Sequence, residues 1–164
     1  MGVNLRLAGA LAAVAMLAID QGHKFWMLFR FDIADRQPVA VTPWLDLVLA
    51  WNPGISYSLF SASTDTGRAL LLAVALAATL ALSIWLWFAR TWAVALALGL
   101  IIGGALGNAW DRFAYGAVAD FFLLHWGSFS WYIFNLADCG IVAGVVVLLY
   151  DALRSHAGEQ PQAR

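Results

Sequence analysis

Asp120 sits between Val118-Ala119 and Phe121-Phe122, with no cation within several positions. Asp138 opens a long apolar run, with Asn135 three residues ahead of it. Two carboxylates held close in apolar surroundings cannot both ionise easily, so they share one proton. The charged partner can then act as general base on a water while the protonated one polarises a carbonyl. That is hydrolysis by paired carboxylates, the chemistry of an aspartic peptidase, and it calls for no metal or other cofactor. Taken alone, Asp138 also reads as a helix N-cap, where the helix dipole favours a carboxylate.

Both residues fall in the stretch Gly103 to Asp138, which holds three aspartates, two asparagines and an arginine among apolar residues. Polar groups are costly in a low-dielectric setting and call for a reason. Asn108, Asp111 and Arg112 share one helical face at i, i+3 and i+4, so Asp111 reads first as a structural partner of the adjacent cation. Asp20 and Lys24 are four apart and can pair along one face, as a plain interfacial ion pair or as support for a site. Gly99, Gly103 and Gly107 recur every fourth residue, a spacing that lets helix backbones approach closely. Gly140 and Gly144 repeat it and are the expected partner row. Cys139 has no histidine near it in sequence and reads as an inert buried thiol. Ser56 and Ser58 lack a visible base.

The elements that must position these groups follow from composition. The chain has 164 residues, 63% of them hydrophobic and 12% charged, with nine tryptophans and ten phenylalanines. Soluble domains carry about twice that charge fraction, and aromatic rings are frequent at membrane interfaces. The net charge of −1 leaves no basic surface for nucleic acid. A single cysteine and the scattered His23, His125 and His156 exclude an internal disulfide and suggest no metal site. The expectation is an all-α membrane protein, one polytopic domain over residues 1–164.

Its four spanning helices are expected at about 5–29, 67–89, 92–112 and 137–153. The first begins like a secretory signal, but hydrophobicity resumes at Phe25 to Phe29, so it reads as a retained helix. Residues of about 30–66 gather charges and prolines. Val39 to Trp51, the turn signal Asn52-Pro53-Gly54 and Ile55 to Phe60 read as a small extramembrane sheet or hairpin. The segment of about 113–136, broken by Gly116, Asp120, Gly127 and Ser128, reads as a partly apolar loop.

Four helices put the end of the first, the end of the third and the start of the fourth on one membrane face. Asp20-Lys24, Asn108-Asp111-Arg112 and Asn135-Asp138 stand at those three places. Both polar inserts emerge on the same face. Charge bias leaves orientation close to a tie, with Arg6, Arg90, Arg154 and Arg164 facing Lys24, Arg30, Arg36, Arg68 and Arg112. Intramembrane carboxylates also mark proton- or ion-coupled transporter subunits, but there they are spread through the membrane depth. Here they gather at one face.

The residues resemble those of a known family, the bacterial lipoprotein signal peptidases (signal peptidase II). The likeness lies in Asp20-Gln21-Gly22-His23-Lys24, in Asn52-Pro53-Gly54 with Ser58, and in Gly103-Gly104-Ala105-Leu106-Gly107-Asn108 with Asp111-Arg112. It ends with Val118-Ala119-Asp120-Phe121-Phe122 and Phe134-Asn135-Leu136-Ala137-Asp138. The resemblance implies a catalytic pair at Asp120 and Asp138, with Asp20, Lys24, Asn52, Gly54, Asn108, Arg112 and Asn135 binding substrate or supporting the site. It implies a membrane aspartic endopeptidase that cuts prolipoproteins on the N-terminal side of a diacylglyceryl-modified cysteine. The substrate partners would be those prolipoproteins and membrane lipids, and globomycin-type inhibitors would bind. The enzyme would lie in the bacterial inner membrane, with a small β-cradle and its site toward the periplasmic face. Ser56-Tyr57 and Cys139 depart from the commoner family residues.

Overall fold

The structure, a computed structural model, describes residues 2–54 and 65–158. Its elements run α1 (Gly2–Phe29), α2 (Ile33–Arg36), β1 (Val39–Thr42), β2 (Leu45–Asn52), α3 (Asp65–Trp87) and α4 (Trp92–Tyr115). They continue with β3 (Val118–Trp126), β4 (Phe129–Phe134) and α5 (Leu136–Gly158). Four apolar stretches, Asn4–Phe29, Thr66–Trp87, Trp92–Tyr115 and Leu136–Arg154, are long enough to cross a membrane. Apolar side chains exposed around α1, α3 and α5, such as Leu11, Leu80 and Val146, therefore face lipid rather than water.

Helix α4 is the hub. Its apolar span is 56% buried, against 17% or less for the other three. Small residues make that possible, because they let neighbouring backbones approach closely. A side chain at Gly99 would strike Gly9 O and Ala12 of α1, and one at Gly103 would strike Ala13 O and Met16. A Cβ at Gly104 would lie 2.5 Å from Ala137 O on α5. The Gly99-Gly103-Gly107 row thus seats α1, not the expected α5 glycines. Of those, Gly144 meets Ala97 and Ile101 of α4, while Gly140 meets Met16 of α1. Spacing alone marked the close approach but not which neighbour makes it.

The ends of α4 are set locally. Thr91 Oγ1 accepts from Val94 N at 3.2 Å, a helix N-cap that closes the short turn from α3. Gly116, at φ 80°, ends the helix in the left-handed conformation, where a glycine carries no steric penalty.

The four strands form one antiparallel sheet in the order β1-β2-β3-β4. The segment expected as a loop over 113–136 is in fact the hairpin β3–β4. Gly116 and Gly127-Ser128, which read as breaks inside a loop, mark its two ends. Of the expected hairpin, the first strand is β2, which pairs with β1 and with β3. Residues 55–60 lie outside the described residues. One face of the sheet packs Ala119 and Phe121 onto Met27 and Ile33, which fixes the sheet over the end of α1. Successive side chains alternate faces, so Asp120 points the other way.

Candidate active site

Two pairs of carboxylates meet at the end of the bundle beneath the sheet, and their surroundings differ. Asp20, Lys24 and Asp111 are all buried, at 0%, 3% and 0% exposure. Lys24 Nζ lies 2.8 Å from Asp20 Oδ2 and 2.7 Å from Asp111 Oδ2. Gln21 Nε2 adds a hydrogen bond to Asp111 Oδ1 at 2.9 Å and one to Asp20 Oδ2 at 3.2 Å. Gly107 leaves room for this cluster, since a Cβ there would stand 2.5 Å from Asp20 Oδ2. Asp111 is therefore paired, as its neighbourhood suggested, but with Lys24 of α1 rather than Arg112.

The spare oxygens of that cluster hold the backbone. Asp20 Oδ1 accepts from Ala137 N at 2.9 Å, and Asp111 Oδ2 accepts from Ala119 N at 3.2 Å. Ala119 and Ala137 are the residues just before Asp120 and Asp138. The first carboxylate pair thus fixes the backbone from which the second pair projects.

Asp120 and Asp138 are joined by Asn135. Asn135 Nδ2 donates to Asp120 Oδ1 at 2.6 Å, and Asn135 N donates to Asp138 Oδ2 at 3.1 Å. Asp138 N donates back to Asn135 Oδ1 at 3.0 Å. Asn135 precedes the first turn of α5 and Asp138 is its third residue, so the two form a reciprocal capping box. The N-cap itself is Asn135, and the acid is the reciprocating member. Asp138 Oδ1 accepts from Asn108 Nδ2 at 2.9 Å, and Asp120 Oδ2 accepts from Asn52 Nδ2 at 3.3 Å. Asn52 reaches it because Val118 is its partner across β2 and β3, and Asp120 is the diagonal neighbour on the same face.

All four oxygens of this second pair accept from amide N–H groups. Among the described residues neither carboxylate forms an ion pair with a cation. Burial, and then the charge of Asp138, push the Asp120 carboxyl up from 3.8 to about 6, against the opposing hydrogen bonds from Asn135 and Asn52. A carboxylate pair with no ion-paired cation, one member raised to about 6, has the acid and the base that hydrolysis requires.

The expected residues divide by position. A cavity of about 330 Å³ is lined by Asp120, Asp138, Asn52, Asn108 and Arg112, with Val118, Tyr132, Ile133 and Ile141. Arg112 Nη2 donates to Gly54 O at 2.8 Å, and Gly54 N donates to Asn52 Oδ1 at 3.1 Å, so Gly54 braces the asparagine that reaches Asp120. Asn108 Oδ1 accepts from Lys24 Nζ at 3.2 Å and from Asn135 Nδ2 at 3.1 Å, linking the two carboxylate pairs. Asp20 and Lys24 do not line the cavity. Ser56 and Ser58 lie outside the described residues. Cys139 is exposed rather than buried. Two residues went unnoticed as site members: Tyr132, for which the sequence offers no signal, and Gln21, whose three-residue offset from Lys24 on α1 was a usable one.

Residues 12–154 match the family described as Signal peptidase (SPase) II. A lipoprotein signal peptidase of Methylocella silvestris is 60% identical over 153 residues, 93% of this chain and 90% of that one. The lipoprotein signal peptidase of Beijerinckia indica is 56% identical over 156 residues, 95% and 93% of the two chains. Among solved structures, one described as a bacterial membrane enzyme, obtained by the in meso method, superposes with a TM-score of 0.80. It is 23% identical, over 95% of this chain and 93% of that one, and so speaks for the fold alone.

Proposed function

Because this chain belongs to the signal peptidase II family, a family of membrane peptidases, we propose that it is an aspartic endopeptidase acting through Asp120 and Asp138. The observation that carries this is the contrast between the two buried carboxylate pairs. Asp20 and Asp111 clasp Lys24, whereas Asp120 and Asp138 meet only amide donors and face a cavity. The first pair is tied to a cation and structural; the second has no ion-pair partner and is free to exchange a proton.

In this reading the ionised carboxylate takes a proton from water as its oxygen attacks the scissile carbonyl carbon. The protonated partner polarises the carbonyl oxygen. Collapse of the tetrahedral species breaks the C–N bond, and a carboxyl proton passes to the leaving amine. Which carboxyl holds the proton at rest is a property of the pair. Asn135 and Asn108 hold the two carboxylates in place for this exchange, and placement of this kind contributes much of the rate. The substrates are prolipoproteins, cut before a diacylglyceryl-modified cysteine that the membrane itself presents at the end of the bundle. The site then faces the periplasm from the inner membrane, and globomycin-type inhibitors act by occupying the carboxylate pair.

Asp120→Asn and Asp138→Asn should each abolish cleavage of a lipid-modified prolipopeptide in a reconstituted assay, with the protein still folded. Activity retained by either variant refutes the pair. Asp111→Asn separates the two roles: it should lower stability, and a folded variant as inactive as the other two would bring Asp111 into the chemistry.

A further inference from the structure

The β3–β4 hairpin ends in side chains that a water-facing sheet would not carry. Trp126 is 79% exposed, and Phe129, Trp131 and Trp44 are exposed beside it. With Leu124 and His125 they line an apolar groove of about 430 Å³. No Asp, Glu, Lys or Arg occurs from Trp126 to Ala137. His125 at the rim turns inward, its Nε2 lying 3.3 Å from Asp46 of β2.

A second cavity fixes where this tip lies. About 380 Å³ in volume, it has Leu124, Trp131, Tyr132 and Phe134 of the hairpin on one side and Asp138, Cys139, Val142 and Ala143 of α5 on the other. Val142 is six residues past Leu136, the start of α5, or about 9 Å along the axis at 1.5 Å per residue. Helix α5, Leu136–Gly158, has 23 residues, about 34 Å, against a hydrocarbon core about 30 Å thick. A helix that spans the core can leave only about 4 Å of its start outside, so Val142 lies within the hydrocarbon. The hairpin therefore folds back alongside α5 instead of rising away from the membrane, with the exposed Trp131 lining one cavity with the exposed Val142.

We propose that the β3–β4 tip, through Leu124, Trp126, Phe129 and Trp131 together with Trp44, is buried in the lipid interface as an anchor beside the four helices. Lipid fills the space between hairpin and α5. Tryptophan is favoured at that level because its ring is apolar and its N–H can still meet polar groups. The root of the same hairpin carries Asp120, so the anchor sets the depth of the carboxylate pair relative to the membrane surface. This inference concerns placement and stands apart from the cleavage chemistry.

The test is a depth measurement on the whole chain in phospholipid vesicles. Cys139→Ser with Ser128→Cys carries a spin label at the tip, and Cys139→Ser with Asp35→Cys provides a control on the exposed side of α2. Relaxation by oxygen, which partitions into lipid, is compared with relaxation by a water-soluble nickel complex. At Ser128→Cys oxygen should dominate, and at Asp35→Cys nickel should dominate. Nickel dominance at the tip overturns the proposal. Low access to both, with disulfide cross-linking between copies through Ser128→Cys, also overturns it and assigns the tip to self-association. The readout needs no activity, so it holds even if the assay of Asp120 and Asp138 fails.

Discussion

Replacing Asp120 by asparagine should change how stability depends on pH as well as abolish activity. Burial and the neighbouring charge raise this carboxyl from 3.8 to about 6. A shift of roughly two units corresponds to ~3 kcal/mol at about 1.36 kcal/mol per unit. The folded chain binds this proton more tightly than the unfolded chain does. The stabilisation is therefore complete below the unfolded value of 3.8, is lost as the pH rises to about 6, and is absent above that. The variant has no such proton to lose. It does leave an amide of Asn52 or Asn135 facing an N–H instead of an oxygen, a cost of about 1–3 kcal/mol that does not vary with pH. The difference in stability between wild type and Asp120→Asn should thus shift by ~3 kcal/mol against the wild type between about pH 4 and pH 7. For a chain of this size that is roughly 6–12 °C in relative melting temperature. Thermal unfolding of both proteins in one detergent across that range measures it, with titrating groups remote from Asp120 cancelling in the difference. A flat difference curve, or one that moves the other way, would refute the raised carboxyl and with it the shared proton.

Lys24→Met should be among the most damaging single changes, because it leaves Asp20 and Asp111 buried without their cation. Breaking such a cluster costs about 3–5 kcal/mol, and the extractable folded fraction should fall accordingly; a melting temperature equal to wild type would show that the pair is neutralised in another way. Gly103→Leu should destabilise by about 1–3 kcal/mol or more through overpacking against Ala13 and Met16. Gly22→Ala, with nothing within 4 Å of its Cβ, should leave the melting temperature unchanged or higher. Equal effects in the two glycine variants would count against close α1–α4 packing.

The sequence made the helices legible because spanning a bilayer leaves one solution for long apolar runs, and helix count alone brought the polar groups to one end. The β3–β4 hairpin was hidden for the opposite reason. Apart from Asp120, His125, Ser128 and Ser130, Val118 to Phe134 carries apolar or small side chains on both faces, so the alternation that reveals a half-buried strand is absent. Partners were harder still. Arg112 stood next to Asp111 in the chain, yet Lys24 from a helix far away in sequence is the ion partner. Spacing separates Asp20 and Asp111, each near a cation, from Asp120, which has none nearby, but it does not show that one lysine serves both of the first two. That depends on which side chain of α1 reaches between α4 and α5.

The bonds around Asp138 and Asp20 also bear on the order in which the chain is made. Asp20 accepts a hydrogen bond from Ala137, 117 residues away in the first turn of α5, and Asn108 reaches Asp138 across 30. Asp120 has no acidic partner until α5 is in the membrane. A chain with only its first three spans therefore carries one carboxylate of the proposed pair and none of the box that orients the other. On the proposed pairing, the site is completed only by the last helix, and a chain lacking α5 should show no cleavage.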